Sequence, residues 1–459
     1  MLVLYLYLDA AWAEAGNFPV SELNNLRKVD SDLEGHPTPR LNFCDVATGS
    51  LGQGLGYTVG AAYASKYWEK ISNKYFCIMG DGECAEGSVW EAANFAWYYK
   101  LDNVIGIVDV NRLGQSEPTS LQHHVEIYEQ RFASFGWHTI VIDGHNVNEI
   151  IAAFTKARSN TGYPTAIICK TFKGKYFIDI EDKLNWHGKA LGNSQENVIK
   201  HLHTLMKNPN ITLNTITKPS FDFSWSSESL NTNYKIDCSN YDKNKVYSSR
   251  EGYGFALRKL GEQDKFEKIV SLDCDVKNST MAETFEKAFP DRFVNCFIAE
   301  QNMISVALGC SKRNKIPFCS TFATFFSRSF DQIRMAAISF ANVKFFGSHS
   351  GTSIGQDGPS QMGLEDLTIF RAIPNIVVLY PSDIISAERS VELAANHDGM
   401  VSIKGERNQR PILYDNNEQF EIGKSKLLRS SDNDCLTIVS GGIVLHESKN
   451  KITLSIKTI

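Results

Sequence analysis

Gly80-Asp81-Gly82 closes an apolar run, "CIM", and three glutamates, Glu83, Glu86 and Glu91, follow in the stretch "ECAEGSVWEA". The next apolar run, "VIGIVDV", ends in Asn111-Arg112-Leu113-Gly114. A carboxylate, an amide oxygen and a backbone carbonyl are hard oxygen ligands, suited to Mg²⁺ with its remaining positions on diphosphate oxygens and water. Glycines on either side of Asp81 let the backbone turn sharply and approach a ligand closely. A helix starting behind them would add N–H donors for phosphate. A lone Gly-Asp-Gly is more often a plain turn; the Asn at the end of the following apolar run makes the pair far more specific. A second glycine-rich loop, "TGSLGQGLG", spans residues 48–56, and packing a helix on a strand or lining a phosphate are both open to it.

These residues need strands that end side by side. "KYFCIMG", "NVIGIVDV", "HTIVIDG" and "PTAIICK" read as strands, with "SVWEAANFAWYYK" and "EIIAAFTKAR" as helices between them. Short apolar strands alternating with helices predict a parallel sheet covered on both faces. In such sheets ligands bind beyond the carboxyl ends of the strands. Residues 205–247, rich in Asn, Ser and Thr without a clear period, read as a linker. The alternation resumes with "EGYGFALRKLGEQ" and "ISVALGCSKR" as helices and "KIVSLDCD", "RFVNCFIAE", "IPFCSTFATF", "VKFFGSHSG" and "NIVVLYPSD" as strands. "IISAERSVELAANHD" is a further helix, and "CLTIVSGGIVLHESKNKITLSIKTI" starts like a third α/β unit. The fold class is therefore α/β, with domains expected at 1–204, 248–415 and a remnant at 416–459.

The bulk numbers are those of an ordinary globular chain of 459 residues, 42% hydrophobic and 22% charged. A net charge of -5 gives no reason to expect nucleic acid or an anionic membrane as partner. Ten cysteines without a C-x-x-C pair read as reduced thiols, the pattern of a cytoplasmic protein. The apolar start "MLVLYLYLDAAWAEAG" lacks a basic flank and is interrupted by Asp9, so a buried strand or helix is expected there rather than a signal peptide or membrane span.

The stretches "HPTPRLNFCDVATGSLGQGLG", "GDGECAEGSVWEA", "DVNRLGQSEP", "NWHGK", "IAEQNMISVALG", "FATFFSRSFDQIRMAAIS" and "DGPSQMGLEDLTIFRAIPN" together resemble transketolase, specifically its animal form, from about residue 9 to about 446. That resemblance implies two thiamine-diphosphate-binding-fold domains and the cofactors thiamine diphosphate and Mg²⁺, for which Ca²⁺ or another divalent ion could substitute. By it, Asp81, Asn111 and the Leu113 carbonyl hold the metal. Gly49, Ser50, Leu51 and Gly82 line the diphosphate side of the cofactor, and Asn111, Lys173 and His187 match further cofactor-contacting positions. Glu300 hydrogen-bonds the aminopyrimidine ring as the central catalytic acid–base group, and Phe322 and Phe325 sandwich that ring. His36, His187 and His349 match catalytic histidines near the reacting sugar. Asp357 matches the acid that reads a sugar hydroxyl, and Gln361 lies in the same wall. Arg250 and Ser279 match phosphate-end contacts, as does Lys404, with Arg407 and Arg410 nearby as substitutes.

The implied activity is transfer of a two-carbon ketol unit between sugar phosphates in the non-oxidative pentose phosphate pathway, by a homodimer with its active sites at the interface. Glu86 and Glu91 match glutamates of that interface. The family pattern also includes an earlier stretch with two cofactor-contacting histidines and a third domain beyond "SGGIVLHES", neither of which this sequence displays. The alternative expectation is therefore a weakly active or inactive transketolase-like protein acting as a dimerisation partner.

Overall fold

The computed structural model describes residues 9–207, 233–237 and 240–457, which fall into two compact units, Met1–Ser226 and Ser227–Ile459. Most of the linker expected at 205–247 and residues 1–8 of the apolar start lie outside the described residues; residues 9–14 are helical.

The first unit holds four parallel strands, β1 (Tyr75–Gly80), β2 (Val104–Val110), β3 (His138–Asp143) and β4 (Thr165–Lys170), in the order β1-β2-β4-β3. All four were legible as apolar runs. Gly80 pairs with Asp109 and Asp109 with Cys169, so the ends of β1, β2 and β4 lie side by side. The helices Gly54–Tyr63, Gly87–Tyr98, Val125–Ser134 and Val147–Ser159 cover the sheet. Asn146 caps the last of these, its side chain accepting from the N–H groups of Asn148 and Glu149, which satisfies donors the helix itself leaves open.

In the second unit a short strand, β5 (Val246–Tyr247), leads into the helix Ser249–Gln263. Ser248 and Glu251 form a reciprocal capping box that starts this helix. Six parallel strands follow: β6 (Ile269–Asp273), β7 (Phe293–Asn295), β8 (Ile316–Phe322), β9 (Lys344–Ser348), β10 (Val377–Leu379) and β11 (Val401–Lys404). Their order is β10-β11-β9-β8-β6-β7. The chain leaves β6 towards β7 and then returns to the other side of β6 with β8, so the loops after β6 and β8 part from each other. That is the place where an open parallel sheet forms a crevice. A two-residue strand, β12 (Arg410–Pro411), pairs antiparallel with β5. The core stacks Tyr253 on Phe346, ring centroids 3.8 Å apart, among Leu257, Leu260, Ile269, Phe318 and Val401. Each such side chain contributes roughly 1.5–3 kcal/mol by burial.

Two readings change. "RFVNCFIAE" yields only the short β7, because the Asn295 side chain accepts from the N–H of Phe297 at 2.9 Å and turns the chain. Glu300 therefore opens the helix Glu300–Ser311 instead of ending a strand. In the tail, residues 435–440 form no strand; Leu436 and Val439 are exposed, for no neighbouring strand among the described residues pairs with them. The helix Ile443–Lys457 follows. Among the described residues no helix is long and apolar enough to cross a membrane. The described cysteines are free thiols, all buried except Cys44 and Cys435.

Candidate functional site

In the first unit the expected metal ligands meet at neighbouring strand ends. Asp81 is 5% exposed. Its Oδ1 accepts from Gly82 N at 2.8 Å; its Oδ2 accepts from Arg112 N at 2.7 Å and from the Thr119 hydroxyl at 3.1 Å. Burial nevertheless pushes the Asp81 carboxyl up from its ordinary range, the three donors only partly offsetting it, and nearby Asp109 adds to the rise. A desolvated carboxylate facing a second acid favours a cation close by.

The Asn111 amide has a fixed sense. Its Nδ2 donates to Asp109 Oδ2 at 2.8 Å, and Asp109 is in turn held by the Thr171 hydroxyl. An acceptor-only carboxylate assigns the amide nitrogen to that side, leaving Asn111 Oδ1 beside Leu113 N at 3.2 Å. Arg112, at φ +62°, anchors this loop through a two-pronged pair with Asp182, Nε to Oδ1 at 2.8 Å and Nη2 to Oδ2 at 2.7 Å. The Lys173 ammonium sits on the Leu113 carbonyl and on the Gly114 carbonyl at 3.2 Å, a positive charge where a cation is expected. Burial lowers the Lys173 pKa against the pull of Asp81 and Asp109. The set of a carboxylate, an amide oxygen and a carbonyl fits a hard divalent ion.

Lys173 Nζ lies 3.4 Å from His187 Nδ1. Burial, and then the Lys173 charge, bring the His187 pKa down to about 4, so its ring is neutral at physiological pH. Gly49 and Gly52 adopt left-handed backbone, φ +116° and +86°. A Cβ on Gly49 would meet the His36 ring at 3.0 Å, so the loop backbone runs directly under that histidine. Ser50 is half-buried and Leu51 is exposed. Of the interface glutamates, Glu86 is exposed and Glu91 half-buried in the single chain.

In the second unit Glu300 is 4% exposed. Arg328 Nη1 donates to both of its oxygens, at 3.0 and 3.1 Å, and lies over the Phe325 ring. Phe322 and Phe325 stack with centroids 5.4 Å apart and planes 7° apart. A third ring between two others needs about 7 Å, twice a van der Waals spacing. The expected sandwich is therefore replaced by a single aromatic wall, which His349 extends by stacking on Phe322 at 3.9 Å.

His349 is 3% exposed, with Nδ1 3.0 Å from the Ser348 hydroxyl. Burial, then Arg250 and Arg407, bring its pKa down to about 4. Arg250 donates to the Ser279 carbonyl at 2.9 Å, and its buried Nε has no partner. Arg407 pairs with Asp357. Two guanidinium groups near one neutral imidazole, one of them with an unused donor, suit a phosphate. Gln361 is half-buried and donates weakly to the Ser360 hydroxyl at 3.4 Å.

Lys404 is placed differently from the sequence reading. It is 8% exposed, and its ammonium pairs with the buried Asp366 at 2.8 Å. Asp366 also accepts from the Ser350 hydroxyl at 3.1 Å. Lys404 thus directs its ammonium to a buried acid, whereas Arg407, together with Arg250, acts electrostatically on His349. Sequence spacing could not separate the two, because burial is what distinguishes them. Glu83 is the residue the sequence reading left without a role. It is 3% exposed and accepts from two glycine N–H groups, Gly52 at 2.9 Å and Gly80 at 3.1 Å.

The neutral histidines carry a pH signature. An imidazole held at about 4 in the fold and 6.5 unfolded makes the unfolded chain bind protons first, so stability present above pH 6.5 is lost as pH falls towards 4. Asp273, raised by burial to about 7, works in the opposite sense across the same window. The expected result is that between pH 7 and 5 the melting temperature of the parent changes more unfavourably than that of His349→Gln. Parallel curves would contradict it.

Residues 3–251 match the family profile "Transketolase, thiamine diphosphate binding domain", and residues 245–410 match "Transketolase, pyrimidine binding domain". Over 446 residues the chain is 51% identical to transketolase of Mus musculus, covering 96% of this chain and 70% of that one. It is 50% identical over 444 residues to transketolase-like protein 2 of Mus musculus, again 96% and 70%. Among solved structures, transketolase from Campylobacter jejuni superposes with a TM-score of 0.75 at 25% identity, over 90% of this chain and 69% of that one.

Proposed function

This chain belongs to the transketolase family, and on that premise we propose that it transfers a two-carbon ketol unit from a ketose phosphate to an aldose phosphate, using thiamine diphosphate and Mg²⁺. The observation that carries the reading is the oxygen set of Asp81, Asn111 and Leu113 at adjacent strand ends, with the Lys173 ammonium already on the third member.

When bound, the cofactor supplies the electron sink that cleavage of a carbon–carbon bond next to a carbonyl requires. This chain's residues hold and orient. Asp81, Asn111 and the Leu113 carbonyl hold the metal. Gly49, Ser50, Leu51 and Gly82 offer backbone to the diphosphate, with Lys173 and His187 beside it. Glu300 holds a proton at the pyrimidine ring nitrogen, and Phe325 and Phe322 give that ring an apolar wall. His36, His187 and His349, the last two neutral at physiological pH, exchange hydrogen bonds with sugar hydroxyls, as does Asp357. Arg250, Ser279 and Arg407 receive the phosphate. The domains run 1–204, 248–415 and 416–459, and a cytoplasmic homodimer completes each site.

The second reading, a weakly active or inactive dimerisation partner, draws on Glu300, both of whose oxygens are already taken by Arg328. One experiment separates the two. The purified chain, with thiamine diphosphate and Mg²⁺, is given xylulose 5-phosphate and ribose 5-phosphate, and sedoheptulose 7-phosphate is measured alongside the melting temperature. Product formation supports the first reading. A cofactor-dependent rise in melting temperature without product supports the second. Neither product nor shift overturns the first reading.

A further inference from the structure

Glu83 sits in the first turn of the short helix Gly82–Ala85, immediately behind the expected metal ligand. Its two oxygens reach two different segments: Oε1 accepts from Gly52 N at 2.9 Å and Oε2 from Gly80 N at 3.1 Å. Gly52 is fixed at its other end as well, its carbonyl accepting from the buried Ser88 hydroxyl at 3.0 Å. It also cannot carry a side chain. At φ +86°, a Cβ there would lie 2.6 Å from Glu86 Cβ and 2.8 Å from Ser88 Oγ. One carboxylate thus ties the loop 49–52 to the end of β1, and a packed floor beneath Gly52 leaves little room for the loop to shift.

We propose that Glu83 is a positioning residue for cofactor binding: a buried carboxylate clamp that sets the spacing between the two glycine segments so that both face the same diphosphate. The proposal rests on the reading of these segments as the diphosphate site. The role assigned to Glu83 is to hold the two backbone segments, one with each oxygen, rather than to contact metal or phosphate. Only a carboxylate offers an acceptor to each donor. In Glu83→Gln the amide NH₂ would face an N–H group in a buried setting, leaving two donors opposed and one unsatisfied. In Glu83→Asp the shorter side chain cannot reach both segments together.

The test uses the full chain with saturating Mg²⁺ and titrates thiamine diphosphate, following tryptophan fluorescence and melting temperature; Mn²⁺ is then titrated at saturating cofactor. Residues that orient a binding group usually alter affinity by about 10–100-fold. Glu83→Gln is expected to raise the half-saturating cofactor concentration by at least about 10-fold, while the Mn²⁺ midpoint at saturating cofactor moves less than about 3-fold. Turnover, where present, recovers when cofactor is saturating. Asp81→Ala, which removes a metal ligand, is expected to differ by losing the Mn²⁺ response itself and, with the metal, the cofactor binding that depends on it. A Glu83→Gln chain with lowered melting temperature but cofactor binding within about 2-fold of the parent assigns Glu83 a purely structural role and overturns the proposal. If Glu83→Gln does not fold, Ser88→Ala decides: weaker cofactor binding supports a clamped loop, and unchanged binding overturns it. A parent chain that binds no thiamine diphosphate overturns the underlying reading together with the proposal.

Discussion

Glu300→Gln is expected to bind thiamine diphosphate and yet turn over about 10²–10⁴-fold more slowly than the parent, the range by which a positioned acid–base group accelerates a reaction. Glutamine has nearly the same shape and still offers a hydrogen bond, but it cannot hold an exchangeable acid proton. The buried setting sharpens the contrast. Glu300 is 4% exposed at the start of its helix, so water cannot take over its function. A control addresses Arg328, which engages both Glu300 oxygens and is itself half-exposed. If the loss in Glu300→Gln came from the broken ion pair, Arg328→Gln would reproduce it. If it came from the proton, Arg328→Gln would retain turnover within about 10-fold. Cofactor binding is followed separately by melting temperature. Turnover of Glu300→Gln within about 10-fold of the parent would remove Glu300 from the acid–base role.

How far the site could be read from sequence depended on how local its geometry is. Asp81 and Asn111 were legible because each follows an apolar run, and parallel strands bring such ends together. Asp109, which fixes the sense of the Asn111 amide, belongs to the same strand, yet its partner Thr171 arrives from β4. No spacing rule anticipates that contact. Glu83 stands among three glutamates in one stretch, but only the fold shows that it alone is buried and bridges two loops. Phe322 and Phe325 were found by motif and misjudged in arrangement, since their mutual stacking depends on the irregular turn after β8. The boundary of β7 failed for a related reason: an Asn side chain capping the backbone ends the strand earlier than hydropathy does.

Arg407→Ala and Lys404→Met are expected to fail in different ways, and the difference tests whether Arg407 or Lys404 meets the phosphate. Arg407 pairs with Asp357 in a partly exposed position and influences His349 electrostatically, as Arg250 does. Removing a charge-assisted contact to phosphate costs about 1.5–3 kcal/mol, equivalent to a KM for phosphorylated substrate higher by about 10–100-fold. Little change is expected in KM for an unphosphorylated ketose. Lys404→Met strands the Asp366 carboxylate in the interior with only the Ser350 hydroxyl left to it. Breaking a buried pair from one side costs about 3–5 kcal/mol, which urea denaturation would show as a lowered midpoint. KM of the surviving folded protein should stay close to that of the parent. The double variant Lys404→Met/Asp366→Leu removes the stranded charge as well and should recover most of the lost stability. A KM effect confined to Lys404→Met, with Arg407→Ala unaltered, would assign the phosphate contact to Lys404. It would also require the Lys404–Asp366 pair to open when substrate binds.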